Sequence, residues 1–550
     1  MHIFIIGERI YSDTGGFMLD LKASVKKTDI SWKTVFAVAL IILIIFGLCG
    51  KLLLSANMSL DSDAVGEGLE AMEIWNFHNY FLSGYYLPSQ DTFIFTELLP
   101  FQLIPQILTG FSPLALKVMT FIEFALGVGV LAFIVYMVSE SAISALIFAA
   151  LAVNVPSAGY DFFALPSSHV GTIIFTGIIL ALLLYMARKE EEQMHRNRKG
   201  KLIRSSKIQW AYVGVLLILV ALTVLSDTIV LPWLVVPYIL VYVLFVKNKS
   251  NTMNVAVGSM AAVSVIVYIF KTYFIYNWVA QDVFSTQAAM NFSSMVALYV
   301  DNLALLLNQG LNSLAEGFSG FGVLEALSLL LFVALVAYAV KNAMGDSKKR
   351  LFYAILLASG LTMFAMWLIS SYSTESGSAR YLIFSAYTVL MLIAIAYPND
   401  NNKVYSALVI GLLCISAAYG LIQLAHLSQP NAGEYGLITY LEENNQTFGY
   451  GGAWTSNIYT YLSGGEVTVR PVFFYTDGME PDIWLACDRW YQSTPDRSFI
   501  LIDTSSLDNN SRNVVESLTT HLNATGPLQY GQFNIYPLQG YHIGPFEVAK

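Results

Sequence analysis

Two aspartates separated by one residue, Asp61 and Asp63, follow soon after the first long apolar run of the chain. A carboxylate held at a membrane edge, where water is scarce, can take the proton from an attacking hydroxyl. Two carboxylates in a D-x-D pattern can also hold a divalent cation between them. Their position makes this pair the first candidate for a catalytic or cation-binding site.

Other charged residues stand where loops meet later apolar runs. Glu97 precedes the second long run, and Asp161 and His169 lie in the loop before a later one. Arg380 begins another run, and an arginine pressed against the membrane is costly unless it meets an anion. These residues are candidates for orienting a substrate, and Arg380 is the candidate for binding a phosphate. The alternatives are a solvated or capping His169 and an Arg380 that reaches lipid headgroups.

Three further acids have simpler interpretations. Glu70 and Glu73 fall in a segment whose apolar residues recur at helical spacing. We therefore predict that they form the wet side of a helix lying at the membrane interface. Asp227 precedes a Leu-Pro-Trp sequence, a position where aspartate commonly caps the start of a helix. Asp61 and Asp63 precede the predicted interfacial helix, and they are therefore the candidates for catalysis or cation binding.

The elements that position these residues are long apolar runs. Of 550 residues, 56% are hydrophobic and only 12% are charged, which predicts a polytopic α-helical membrane protein. The sequence contains about eleven such runs, the third of them short. They lie near 34–54, 115–138, 142–155, 170–187, 209–226, 229–246, 253–271, 321–340, 351–370, 382–397 and 404–426.

Lysine and arginine predict the orientation of these spans. They concentrate before the first run and in alternate loops, which places the N-terminal segment 1–33 in the cytoplasm. An odd number of spans between 34 and 426 then puts residues 427–550 on the outer side. The long loops 55–113, 154–169 and 272–320 fall on that side too. Because function concentrates where long loops converge, we expect the site there.

Residues 427–550 differ from the rest of the chain. Short strand-like runs alternate with helical ones, which predicts a small α/β domain. The three cysteines of the chain are divided between two apolar runs and this domain, so neither a disulfide framework nor a thiolate metal site is expected. The net charge of −9 argues against nucleic acid as a partner.

These motifs resemble the GT-C superfamily of integral-membrane glycosyltransferases, and most closely its protein O-mannosyltransferase and aminoarabinose-transferase branch. The resemblance rests on the acidic stretch 61–72, G-Y-Y-L-P at 84–88, E-L-L-P at 97–100 and G-F-S-P-L at 110–114. It is clear over residues 34–140, and beyond them it rests on topology. The W-W-D-Y-G signature of oligosaccharyltransferases is absent, with only W-L-A-C-D at 484–488, which favours transfer of a single sugar.

The resemblance implies an inverting transfer of a sugar from a polyprenyl-phosphate donor to a protein, lipid or glycan acceptor on the outer side. It implies that Asp61 is the catalytic base or a carboxylate that positions the acceptor, and that Arg380 contacts the lipid phosphate of the donor. The only cofactor it leaves open is a divalent cation, with Asp61 and Asp63 as ligands. Residues expected to orient the sugar or acceptor are Asp63, Glu97, Asp161 and His169.

Two other functions stay open. The string P-S-S-H at 166–169 resembles the P-S-x-H core of membrane lipid phosphatases, but their Lys/Arg-Pro element upstream and their Arg and His downstream have no counterpart here. A transporter or flippase for lipid-linked sugars would show the same hydropathy. Transporters usually carry ionisable residues near the membrane midplane on broken helices, whereas these acids gather at one edge. We therefore favour an enzyme.

Overall fold

The chain folds into a helical part followed by a domain with a β-sheet, as a computed structural model shows. This arrangement confirms the predicted fold class, a polytopic helical membrane protein with a C-terminal α/β domain. The structure describes residues 31–87, 92–155, 163–166, 168–198, 207–246, 251–275, 292–307, 322–345, 349–369, 380–397, 402–425, 427–492, 495–505 and 507–543.

The helical part contains the elements α1 to α14. In chain order they are α1 Trp32–Ala56, α2 Gly66–Asn76, α3 Ile94–Leu108, α4 Pro113–Ser139, α5 Ala142–Val153, α6 Val170–Arg198, α7 Lys207–Ser226, α8 Leu231–Phe245, α9 Asn251–Phe270, α10 Phe292–Leu306, α11 Gly322–Gly345, α12 Arg350–Ile369, α13 Ile383–Ile395 and α14 Lys403–Leu424.

Every apolar run predicted to span the membrane coincides with a helix. Within the described ranges, seven helices are long and apolar enough to cross a bilayer, namely α1, α4, α6, α7, α9, α12 and α14. The other predicted spans correspond to α5, α8, α11 and α13, whose apolar parts are shorter. The chain is thus a multi-pass membrane protein.

Two further apolar helices lie inside stretches predicted as loops. α3 falls within the loop 55–113, and α10 falls within the loop 272–320. Hydropathy alone does not reveal α3, because Glu97 and Gln102 interrupt its apolar sequence and Pro100 lies inside it. Its first turns are π-helical, a form that commonly accompanies a break in regular helix geometry.

The domain after α14 is built on one six-stranded mixed sheet. Its helices are α15 Ala432–Glu443, α16 Ala453–Leu462 and α17 Asn509–His521. The sheet strands are β2 Phe448–Gly451, β3 Thr468–Phe474, β4 Met479–Pro481, β6 Arg497–Asp503, β7 Leu528–Tyr530 and β8 Phe533–Gln539. Their order in the sheet is β4-β3-β2-β6-β8-β7, and β2 pairs in parallel with both β3 and β6.

The domain is docked onto the first loop, the segment between α1 and α4. β1 (Tyr85–Tyr86) of the loop pairs antiparallel with β5 (Ala486–Cys487) of the domain. Asn431 exchanges hydrogen bonds with the backbone of Leu60, at 2.9 and 2.8 Å. α2 and the domain share one hydrophobic core. The loop and the domain therefore form a continuous structure above the membrane helices.

Close packing of α2 against the domain depends on a glycine. A Cβ atom added at Gly68 would lie 2.2 Å from the ring of Tyr461 on α16, so no larger residue fits there without movement. Nine of the 11 residues of α2 are buried. The prediction of an interfacial helix with Glu70 and Glu73 in water was therefore wrong, because the C-terminal domain covers Glu73 and Glu70 is buried near Glu97 of α3.

Candidate functional site

Asp61 and Asp63 lie in a tight turn just before α2, here called the aspartate turn (residues 61–65). Asp61 is exposed, and its Oδ1 accepts a hydrogen bond from the backbone N–H of Ala64 at 2.8 Å. Asp63 is partly buried, and its Oδ1 accepts a hydrogen bond from the indole of Trp484 at 3.1 Å. The turn thus presents one carboxylate to solvent and holds the other against the C-terminal domain.

Arg380 approaches the aspartate turn from the start of α13. Its guanidinium lies 3.7 Å from Asp63 Oδ2 and donates a hydrogen bond to the hydroxyl of Tyr381 at 3.0 Å. Burial raises the pKa of Asp63, while the Trp484 hydrogen bond and the charge of Arg380 oppose that rise. About a third of the Arg380 side chain remains exposed, so a negatively charged ligand can reach it.

His169 lies immediately before α6 and pairs with a residue distant in sequence. Its Nδ1 is 2.6 Å from Asp227 Oδ2, and both side chains are buried. Burial alone would raise the pKa of Asp227, but the charge and hydrogen bond of His169 hold it below its ordinary value. Asp227 Oδ1 also accepts the backbone N–H of Ile229 at 2.9 Å. This bond closes the short turn after α7, but the N-cap of α8 is Val230, without a side-chain hydrogen bond, so the predicted helix cap at Asp227 was wrong and its contact with His169 is an addition.

Aromatic rings surround His169 and connect it to Arg380. The ring centroids of Phe93, Phe384 and Tyr381 lie 5.2, 5.8 and 6.0 Å from that of the imidazole. Tyr381 also receives the hydrogen bond of Arg380. A charged imidazolium is stabilised by an anionic partner and by aromatic faces around it. The His169–Asp227 pair therefore forms a second polar centre beside the aspartate turn.

Glu97 ties α3 to α6 at this second centre. It is buried, and its Oε1 accepts the backbone N–H of Gly171 at 3.0 Å. A Cβ at Gly171 would lie 2.0 Å from the backbone oxygen of Thr96, so only glycine permits this approach. Ser226 Oγ holds the start of α3 from the other side by accepting the N–H groups of Phe95 and Thr96 at 3.2 Å each.

More buried acids surround Glu97. Glu67 and Glu70 come from α2, and Glu123 comes from α4. Glu123 Oε1 accepts a hydrogen bond from Gln102 at 2.8 Å. Burial raises the pKa of Glu70 well above its ordinary value, and the nearby charge of Glu97 adds to the rise. The sequence pattern missed this cluster, because it placed Glu70 in water and gave no reason to connect α2 with α4.

A substitution at Asp227 tests its pairing with His169. Because a hydrogen bond to a charged group contributes about 1.5–3 kcal/mol, Asp227→Asn should lower the free energy of unfolding by about that amount at neutral pH. The measurement is thermal and chemical unfolding of the full-length protein in detergent. Asp496, paired with His542 at 3.7 Å in an exposed position, provides the matched control.

Asp496→Asn should change the stability by well under about 1 kcal/mol, because exposed pairs contribute little. Equal, small losses in the two variants would contradict a structural role for the buried pair.

The structure brings most of the sequence candidates to the same end of the helices. Arg380 lies beside the aspartate turn and donates a hydrogen bond to Tyr381, whose ring contacts that of His169. Glu97 bonds the backbone two residues after His169. Asp161 lies outside the described residues, so its predicted role is not addressed. Two residues that complete the site, Asp227 as the partner of His169 and Trp484 as the partner of Asp63, come from distant segments and have no local signal for these contacts.

A divalent cation on the aspartate turn stays a prediction from the sequence. Asp63 directs one oxygen to Trp484 and the other towards Arg380, an arrangement that already satisfies much of its charge. In the part of the chain that the structure describes, no group of three or more His, Cys, Asp or Glu side chains is placed to hold a metal ion. Asp61 is the more accessible carboxylate of the two.

The fold and the site together define a polytopic membrane protein whose carboxylates, arginine and histidine meet beneath an α/β domain. No family model matches the chain, and no curated protein matches it. Among solved structures, it is similar to the archaeal oligosaccharyltransferase AglB from Archaeoglobus fulgidus, in complex with an inhibitory peptide and a dolichol-phosphate. The similarity has 15% sequence identity and a TM-score of 0.47, and covers 80% of this chain and 65% of that one.

Proposed function

We propose that this protein is a membrane glycosyltransferase that moves a sugar from a polyprenyl-phosphate donor to an acceptor hydroxyl on the outer side of the membrane. The observation that carries the proposal is the position of Arg380 beside the aspartate turn, with Asp63 at 3.7 Å. Such a transfer requires a fixed cation, which stabilises the leaving phosphate, and an accessible carboxylate, here Asp61, which takes the acceptor proton. The motifs that resemble GT-C enzymes lie in the same turn and loop.

In the proposed reaction the acceptor oxygen attacks the anomeric carbon as the bond from that carbon to the phosphate oxygen breaks. Asp61 takes the acceptor proton, and the polyprenyl phosphate leaves with the bonding electrons. Arg380 stabilises the charge that develops on the leaving phosphate. Because Arg380 also faces Asp63, a phosphate arriving at the guanidinium would compete with that carboxylate. Asp63, Glu97, Asp161 and His169 would orient the sugar and the acceptor.

A second candidate function is a transporter or flippase for lipid-linked sugars. The observation that favours it is the buried acid cluster, since Glu97 lies on a helix with π-helical turns and Pro100 inside it, and Glu123 is buried in α4. Ionisable residues on interrupted helices are a feature of transporters. The two functions differ in product, because a transporter leaves the bond between sugar and phosphate intact.

The test uses full-length protein in lipid vesicles with synthetic polyprenyl-phosphate hexoses and a panel of hydroxyl acceptors. We expect released polyprenyl phosphate and sugar joined to an acceptor. Arg380→Ala should lower the rate about 10²-fold, the size of effect seen when one charge-stabilising donor is removed. The rate of the Arg380→Lys variant should lie between those of the wild type and Arg380→Ala, because an ammonium keeps the charge but not the planar fork of donors.

Arg512, exposed on α17, serves as the control, and Arg512→Ala should retain the wild-type rate. Translocation of the intact donor without release of polyprenyl phosphate would support the transporter and refute the enzyme. Wild-type transfer by Arg380→Ala would refute the role of the arginine.

A further inference from the structure

An exposed tryptophan stands beside the aspartate turn. Trp454, in the first turn of α16, is 65% exposed. Its backbone oxygen accepts a hydrogen bond from Ser62 Oγ at 2.9 Å, and Ser62 lies between the two aspartates. The tryptophan is thus fixed by its backbone to the turn that carries the proposed base, while its ring remains available.

The topology of the domain places Trp454 at a position typical of ligand binding. β2 and β6 are neighbouring parallel strands in the middle of the sheet. From β2 the chain passes through α16 to β3, on the side away from β6, whereas from β6 it passes through α17 to β7 and then β8, on the side away from β2. The two connections therefore run in opposite directions from the boundary between β2 and β6. In open α/β sheets, ligands bind outside the carboxyl ends of the strands at this point.

A second contact fixes the same face of α16 to the site. Asn457 lies three residues after Trp454, so the two share a helix face. Its Nδ2 donates to the backbone oxygens of Trp484 and Leu485, at 3.4 and 3.2 Å. Trp484 in turn holds Asp63. The first turn of α16 is therefore attached to the aspartate turn through both Ser62 and Trp484.

We propose that Trp454 is the platform on which a sugar ring of a carbohydrate acceptor stacks, with a hydroxyl of that sugar directed to Asp61. The inference rests on the proposed glycosyl transfer and adds the class of acceptor to it. One face of a pyranose ring presents mainly C–H groups, which pack on the electron-rich face of an indole. Asp61, as the exposed member of the aspartate pair, is the carboxylate that such a sugar reaches.

The strands around Trp454 favour a carbohydrate over an extended peptide. Peptides commonly bind by adding a strand to a free sheet edge. β2 already pairs with β3 and β6, and β3 pairs with β2 and β4. Neither strand that flanks α16 offers an edge. An accessible ring beside strands without a pairing edge suits a compact, flat ligand.

The test compares wild type with Trp454→Ala and Trp454→Phe, using full-length protein in detergent. Binding of methyl glycosides is followed by saturation-transfer NMR, and transfer to them is followed with a polyprenyl-phosphate hexose as donor. Trp454→Ala should raise the KM for the saccharide by about tenfold or more, while Trp454→Phe should restore part of the affinity. Hydrolysis of the donor by water should keep its rate, since it needs no acceptor.

Trp75, 52% exposed at the end of α2, is the matched control, and Trp75→Ala should leave saccharide binding unchanged. An unchanged KM in Trp454→Ala, or transfer to serine- and threonine-containing peptides but to no saccharide, would overturn the inference. If saccharides bind through Trp454 but wild type never cleaves the donor, the inference stands as a binding site and the proposed reaction fails.

Discussion

Asp61→Asn should lower the rate of sugar transfer by about 10²–10⁴-fold, the range typical of removing a general base. The asparagine side chain is nearly the same size, and its oxygen can still accept the N–H of Ala64, the bond that Asp61 makes at 2.8 Å. Asparagine and aspartate perform comparably in such capping positions. The aspartate turn should therefore persist while its proton acceptor is lost.

The decisive measurements are kcat and the KM for donor and acceptor, together with thermal unfolding of the variant. We expect a loss in kcat with little change in stability. Glu466→Gln removes an exposed carboxylate of the C-terminal domain and should leave the rate unchanged. Transfer at the wild-type rate by a well-folded Asp61→Asn protein would exclude Asp61 as the base and would direct attention to Asp63.

The membrane helices could be predicted from local sequence, whereas the contacts of the candidate site could not. A run of apolar residues must form a helix in lipid because each backbone N–H and C=O needs a partner there, so helices were predictable from composition alone. The hydropathy pattern did not predict α3, because Glu97 and Gln102 lower its mean hydropathy. Gln102 donates to Glu123 on α4 and Glu97 accepts from Gly171 on α6, and only the packing of α3 on these two helices provides such contacts.

The role of each acid depended on contacts between distant segments. Helical spacing placed Glu73 in water, but most of its hydrogen-bond partners come from the C-terminal domain and cover it. His169 was considered with Asp161, its neighbour in sequence, whereas it pairs with Asp227 across the bundle. A pattern within one segment identifies which residues can do chemistry, and the tertiary fold decides which of them meet.

The Glu73–Arg489 pair holds the C-terminal domain on α2, and substitution of Arg489 is the most sensitive test of that docking. Arg489 donates two hydrogen bonds to Glu73, Nε to Oε1 at 2.5 Å and a terminal nitrogen to Oε2 at 2.6 Å. Asn79 and Trp490 donate two more, at 3.0 and 3.1 Å. The Arg489 guanidinium also lies 3.6 Å from the centre of the Phe77 ring. Glu73 is almost fully buried, while about a third of Arg489 is exposed.

Arg489→Met should lower the free energy of unfolding by about 3–5 kcal/mol near neutral pH, because it leaves a buried carboxylate without its cation. Burial alone would raise the pKa of Glu73, but the hydrogen bonds and charge of Arg489 lower it below its ordinary value. In the wild type, this pairing stabilises the protein above the pKa of the unfolded state and is lost as the pH falls through the lower, folded value.

The Arg489→Met variant loses the cation that lowers the pKa of Glu73 in the wild type, so the carboxyl should become neutral at a higher pH than in the wild type. The stability difference from wild type should therefore be largest at alkaline pH and should shrink as the pH falls towards 5. Unfolding in detergent between about pH 5 and 8 measures this trend. Glu73→Gln, the matched variant, should cost less because the arginine it leaves behind is partly in water. A loss of equal size at every pH would show that lost packing against Phe77, and not the buried charge, controls the docking.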